Sequence, residues 1–189
     1  MTVPVEASSS CAYECDSEFR VVSVDPAWSE FAVANGAPEL VSPGPLGRSL
    51  WSYIADPTTA YVFRQLFDKV MATGRSASVP IRCDSPTMRR YLNLTIDRRT
   101  GGGVRMTSTV VRLEPRPSVA LLEPDRPRDA GMLKMCSWCK RAQLEGEWVE
   151  VEELTTALRL FERDTLPQIT HGMCDECHAA IAAMIDDDR

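Results

Sequence analysis

The sequence predicts an α+β fold: five strands with short helices in the first part of the chain, then a small cysteine-stapled, mostly helical module. Three observations carry that expectation. Five short stretches read as strands, a 3.6-residue apolar stripe marks one longer helix, and two Cys-x-x-Cys pairs stand near the C-terminal end, separated by 34 residues.

Residues 12–15 and 20–24 read as two strands around the polar turn Asp16-Ser17-Glu18. Asp25-Pro26 then supplies an N-cap followed by proline at the first helical position, and Trp28, Phe31 and Ala32 give a short helix ending at Asn35-Gly36. Residues 41–47 are rich in proline and glycine and read as a loop. A second Asp-Pro start, Asp56-Pro57, opens the longer helix, with Phe63, Leu66, Phe67, Val70 and Met71 on one face and Gly74 as its stop. Val79, Ile81 and Cys83 alternate as a third strand, and Leu92, Leu94 and Ile96 as a fourth. The fifth, residues 104–113, is rich in Val and Thr, and Gly101-Gly102-Gly103 joins it to the fourth as an antiparallel hairpin.

Pro115, Pro117, Pro124 and Pro127 mark an extended linker over residues 115–131, within which Val119-Ala120-Leu121-Leu122 is apolar enough to pack. Beyond it, Val151, Leu154, Leu158 and Phe161 share one helical face, and Cys177, Ile181, Met184 and Ile185 another. Two small helices clasping a metal are therefore expected in residues 132–186.

The order of elements resembles a PAS domain. Phe19-Arg20-Val21-Val22-Ser23-Val24-Asp25-Pro26-Ala27-Trp28-Ser29-Glu30-Phe31 looks like the PAS second strand and first helix, and Leu46-Gly47-Arg48-Ser49-Leu50-Trp51-Ser52-Tyr53-Ile54 looks like the segment before the long helix. The resemblance covers residues 10–114 and implies a single five-stranded antiparallel sheet with a sensing role. Cys-x-x-Cys-Lys-Arg at 136–141 and Thr170-His171-Gly172-x-Cys-x-x-Cys resemble a cysteine module appended to PAS sensors in bacterial signalling proteins. A signalling partner, and by analogy a homodimer, follow from that resemblance.

Charge narrows the partners. From residue 132 onward stand six basic and twelve acidic residues, so this segment carries the whole net charge of −6 while the rest balances. Such a module repels a phosphate backbone, and nucleic-acid binding is not expected despite the finger-like cysteines. No apolar run reaches the roughly 18 residues of a membrane span, and the first residues lack a basic start and an apolar core, so a cytoplasmic protein with reduced thiols is expected.

Cys136, Cys139, Cys174 and Cys177 offer four thiolates to one soft tetrahedral ion, and one zinc per chain is the expected cofactor. Zinc here either replaces a hydrophobic core too small for the segment or serves a thiol sensor that oxidises and releases metal, and an iron-sulfur cluster is the alternative occupant of the four thiolates. His171, three residues before Cys174, is a spare ligand or a hydrogen-bond donor to a thiolate. Cys174-Asp175-Glu176-Cys177-His178 also matches a c-type haem attachment pattern, but that reading leaves Cys136 and Cys139 unused. Cys11 and Cys15 lie four apart on a strand and do not converge.

Neither histidine precedes residue 171, so a histidine-ligated haem is not expected in the first domain. Photoactive flavin relatives of PAS carry their cysteine in an Asn-Cys-Arg context, whereas Cys83 is followed by Asp84-Ser85-Pro86, so no flavin is expected either. Trp51, Phe67, Ile81 and Leu94 are the inward candidates for lining a small-molecule pocket, with plain core as the alternative. Arg82, Arg89 and Arg90 around the third turn read as an anion site or as a solvated tip. No phosphate loop, nucleophile elbow or deaminase pattern is present, so an enzyme is not expected.

Overall fold

Local capping shapes the first half of the chain in the computed structural model, which describes residues 10–186. β1 (Ser10–Cys15) and β2 (Val21–Val24) form a hairpin. Its turn is closed by Asp16, whose Oδ1 accepts from the amides of Glu18 and Arg20, both at 2.9 Å. Asp25 caps α1 (Pro26–Ala34) by accepting from the Trp28 amide at 2.7 Å, and its other oxygen accepts from the Ala12 amide, pinning the helix to β1. Short 3-10 turns at Pro38–Leu40 and Leu50–Tyr53 lead to α2 (Pro57–Thr73). Asp56 caps α2, and Gly74 ends it in the left-handed conformation at φ 69°.

β3 (Ala77–Arg82), β4 (Met88–Arg98) and β5 (Val104–Pro115) complete one five-stranded antiparallel sheet in the order β2-β1-β5-β4-β3. The glycine turn before β5 is required by contact: a Cβ on Gly103 would lie 2.0 Å from the Cys15 carbonyl oxygen. α2 buries Val62, Phe63, Leu66, Phe67 and Val70 against Val79, Leu94, Ile96, Val104 and Met106 of the sheet. Phe19 keeps a left-handed backbone at φ 59°, with its ring stacked 5.2 Å from Phe67.

The second half departs from the expected mostly helical module. It is built on a four-stranded sheet in the order β8-β7-β6-β9, from β6 (Arg128–Cys136), β7 (Ala142–Leu144), β8 (Glu147–Val149) and β9 (Leu166–Gly172). Among the described residues of this half, the α-helices are α3 (Val151–Ala157) and α4 (Asp175–Asp186), with a 3-10 turn at Leu160–Glu162. The difference has two causes. Glu145 and Gly146, at φ 49° and 96°, make a tight turn that folds β7 onto β8, and β6 pairs in parallel with β9 across a long crossover. α3 also stops early, at Leu158, and Arg159 turns left-handed at φ 50°. Leu160 is therefore buried, while Phe161, expected on the apolar face, is 65% exposed.

β6 begins at Arg128, inside the stretch read as linker. Arg128 donates to the carbonyls of Leu121, Glu123 and Pro167, and Val119 and Leu121 are buried with Met135, Val151, Leu154, Leu160 and Leu166 in a second core. The first core does not stop at the sheet. It continues through Trp138, Cys136, Met173, Cys174 and Ile181, so the cysteine segment and α2 share one apolar interior.

Candidate metal centre

Four sulfurs meet where the second sheet ends. Cys136 is the last residue of β6, and a reverse turn follows: the Lys140 amide donates to the Cys136 carbonyl at 3.1 Å, and the Cys136 amide to the Arg141 carbonyl at 2.8 Å. Lys140 sits at φ 62°, which swings the chain back into β7 and turns Cys139 toward Cys136. Cys174 precedes α4 and Cys177 lies in its first turn, three residues on and therefore on the same helical face. The parallel register sets Cys136 beside Gly172, and the Ser137 amide donates to the Gly172 carbonyl at 2.8 Å. The two cysteine pairs are thereby brought together by β6 and β9.

The ligand atoms of all four cysteines lie within 4.8 Å of one another. Cys139 and Cys174 sulfurs are 3.8 Å apart. A tetrahedral ion about 2.3 Å from each sulfur would set them roughly 3.8 Å apart, so the cluster has the dimensions of a four-thiolate site close enough to hold a metal ion. His171 is exposed on β9 and lies outside this group.

The surroundings are arranged for thiolate. The Cys136 sulfur accepts from the amides of Trp138 and Cys174, the Cys174 sulfur from the Cys177 amide, and the Cys139 sulfur from Arg141 Nε, each at 3.4 Å. Hydrogen bonds from Cys139 and Cys177 hold the Cys136 thiol well below the ordinary range, while Cys177, donor in that exchange, is pushed above it. Burial, followed by the charges of Cys136 and Cys139, also raises Cys174. Thiols this close cannot all ionise against one another; a dication among them reverses that cost. By contrast, burial lifts Cys11 to about 11 and Cys15 to about 12, which leaves both as unreactive thiols.

Trp138, inside the first cysteine pair, docks the centre onto β3. Its ring lies 5.1 Å from Phe63 of α2. A second clasp joins the halves at the β3–β4 turn. Arg82 is forked to Asp84 and Glu150, Arg116 bridges Asp84 and Glu152, and Arg89 reaches Glu152 at 2.8 Å. The turn expected as an anion site or a solvated tip is thus neither: Arg82, Asp84 and Arg116 are buried at 7%, 2% and 4% side-chain exposure, and the residues before and within α3 take up the charge. Part of the acidity of the second half is answered inside the chain.

The pocket candidates separate. Phe67 and Leu94 are buried, and Trp51 packs against Phe19 and Phe67 with the Arg64 guanidinium 3.8 Å over its ring. An apolar hollow of about 230 Å³ lies beside them, lined by Tyr13, Trp28, Leu40, Leu50, Ile54 and Phe63 among others, and none of the four candidates reaches it. Ile81 lines a different cleft, of about 700 Å³, between the first sheet and the cysteine centre. Trp28 reads only as part of a helical stripe and Leu50 only within the PAS-like segment, so the sequence does not single the hollow out. What could not be read was which rings would face one another.

Among the described residues no helix is long and apolar enough to cross a membrane. No protein-family model matches the chain, and no curated protein matches it.

Proposed function

We propose that this chain is a non-enzymatic sensing or interaction protein: a PAS-like domain over residues 10–114, joined through residues 115–131 to a zinc-stapled module over residues 132–186, acting on a signalling partner. The observation that carries the reading is the shared core. Cys136, Trp138, Cys174 and Ile181 are buried together with Phe63, Leu66 and Phe67, so metal ligation and the packing of α2 on the sheet are one mechanical unit. A change at either end, such as a small ligand entering the hollow beside Trp28, is thereby transmitted to the surface of the other. Zinc fits the all-sulfur donor set and the sulfur spacing. A reducing cytoplasmic setting suits seven cysteines that are all free. Self-association as a homodimer and the lack of a nucleic-acid ligand are parts of the same proposal.

Affinity capture with the wild-type chain against a Cys136→Ser, Cys139→Ser double variant tests this, with folding of residues 10–114 checked by near-ultraviolet circular dichroism. Loss of a partner in the variant supports the reading. Identical partners from two folded proteins remove the module from recognition.

A second reading is a thiol switch, favoured by the unequal exposure of the four sulfurs: Cys136 and Cys174 are buried, Cys139 and Cys177 only half so. A hydroperoxide oxidises one accessible thiolate to a sulfenic acid and is itself reduced to the alcohol or water, the protons coming from solvent. A neighbouring thiolate then displaces hydroxide to close a disulfide, and the metal leaves. Zinc release matched to thiol loss under mild peroxide supports this; unchanged metal content removes it.

A further inference from the structure

We infer that the cleft between the first sheet and α4 binds an amphipathic carboxylate, with its head at Arg112 and its apolar body running toward the cysteine centre. The site rests on the cleft and the ligand's orientation on the proposed zinc; both are independent of any PAS relationship. The volume, about 700 Å³, is that of a site for a drug-sized ligand. Its walls include Val111, Trp138, Ala180 and Met184, and two of these, Val111 and Met184, are large apolar side chains left 57% and 40% exposed. Apolar surface of that kind at the rim of a concavity is what an apolar ligand body covers.

The register across three strands orients the ligand. Arg82 of β3 pairs with Tyr91 of β4, and Tyr91 with Arg112 of β5. Two strand spacings put Arg112 roughly 10 Å from the Arg82 row, and it is Arg82, on the far strand, whose amide bonds the cysteine turn at the Trp138 carbonyl. Four thiolates around a dication carry net negative charge, so the anionic head belongs at the Arg112 end and the tail beside α4.

Arg112 is also the guanidinium free to exchange partners. It stacks 3.7 Å over the Tyr91 ring and is paired with Glu114 on an exposed part of the sheet. Such a pair is weak. Glu114 would not be orphaned by the exchange, because it also accepts from the Tyr91 hydroxyl at 2.9 Å and lies 3.8 Å from Arg89. Arg82 cannot play this part, being forked to Asp84 and Glu150. Arg141 cannot either, since it is held by the Cys139 sulfur and Glu176.

The test uses zinc-loaded full-length chain and the fluorescent probe 8-anilinonaphthalene-1-sulfonate, displaced by decanoate or by decanol. Decanoate is expected to displace the probe from wild type, and Arg112→Gln to raise the decanoate concentration required by about tenfold, the worth of one charge-assisted hydrogen bond. Decanol should displace the probe equally from both proteins. Ala180→Trp, at an exposed helix position facing the cleft, should abolish probe binding with zinc content and circular dichroism unchanged. Wild type that binds no probe overturns the inference, as does an Ala180→Trp variant that binds it normally, which would place the probe in the hollow by Trp28. An Arg112→Gln variant with unaltered decanoate affinity overturns the assignment of the head.

Discussion

The indole Nε1 of Trp138 donates a 2.6 Å hydrogen bond to the carbonyl of Pro80, while the Trp138 carbonyl accepts from the Arg82 amide at 2.8 Å. Pro80 sits on β3, the edge of the first sheet, where a proline costs no ladder bond. The cysteine turn thus covers an edge that would otherwise present open backbone groups.

Removing that cover has a graded cost. Trp138→Phe keeps an aromatic ring against Phe63 but leaves the Pro80 carbonyl unpaired, and is expected to lower stability by about 1–3 kcal/mol. Trp138→Ala also empties the space and is expected to cost about 3–5 kcal/mol. Urea unfolding of the metal-loaded proteins measures both, and a Trp138→Phe variant as stable as wild type would refute the role of the hydrogen bond.

Arg141 donates to the Cys139 sulfur at 3.4 Å without being a ligand. Its replacement by Gln should weaken metal binding by about 10- to 100-fold, whereas Cys136→Ser or Cys174→Ser should abolish stoichiometric binding. Competition against a chromogenic chelator reads the first, and elemental analysis the second.

Asp84 carries two guanidiniums. It accepts from Arg82 at 2.7 and 3.1 Å and from Arg116 at 3.1 Å while only 2% exposed. Asp84→Asn leaves buried positive charge without its counter-charge and should cost about 3–5 kcal/mol. The same substitution made together with Glu150→Gln should cost less than the sum of the two alone, a coupling that thermal or urea unfolding of the four proteins reports.

Acid sensitivity is expected at Glu14. The hydrogen bond from Arg99 and a second from Arg105 hold its carboxyl below the usual carboxylate range. A lowered folded-state value means the stabilisation is complete above the unfolded value, near pH 4.3, and is lost as pH falls through the folded one. The stability difference between wild type and Glu14→Gln should therefore be larger at pH 6 than at pH 3.

Much of the first sheet was legible because its signals are local. Asp25-Pro26 and Asp56-Pro57 start helices where the caps are found, Gly74 stops α2, and the glycine run turns β4 into β5. The convergence of the cysteines was legible from spacing alone. The second sheet was not, since β6 finds its parallel partner some 35 residues away and β7 and β8 have three residues each, too few to show a period. The arginine clasp was equally hidden. Arg82 and Arg89 looked like a charged tip until Glu150 and Glu152, more than 60 positions later, were brought against them.

The crossover between β6 and β9 also sets an order of events during synthesis. Cys136 and Cys139 leave the ribosome 38 residues ahead of Cys174 and Cys177, an interval of roughly 2–8 seconds at ordinary elongation rates. For those seconds the first pair stands without the second, with Trp138, which bonds Pro80 in the folded chain, already made. Any thiol reagent or soft metal ion that meets the nascent chain in that interval meets two cysteines and not four.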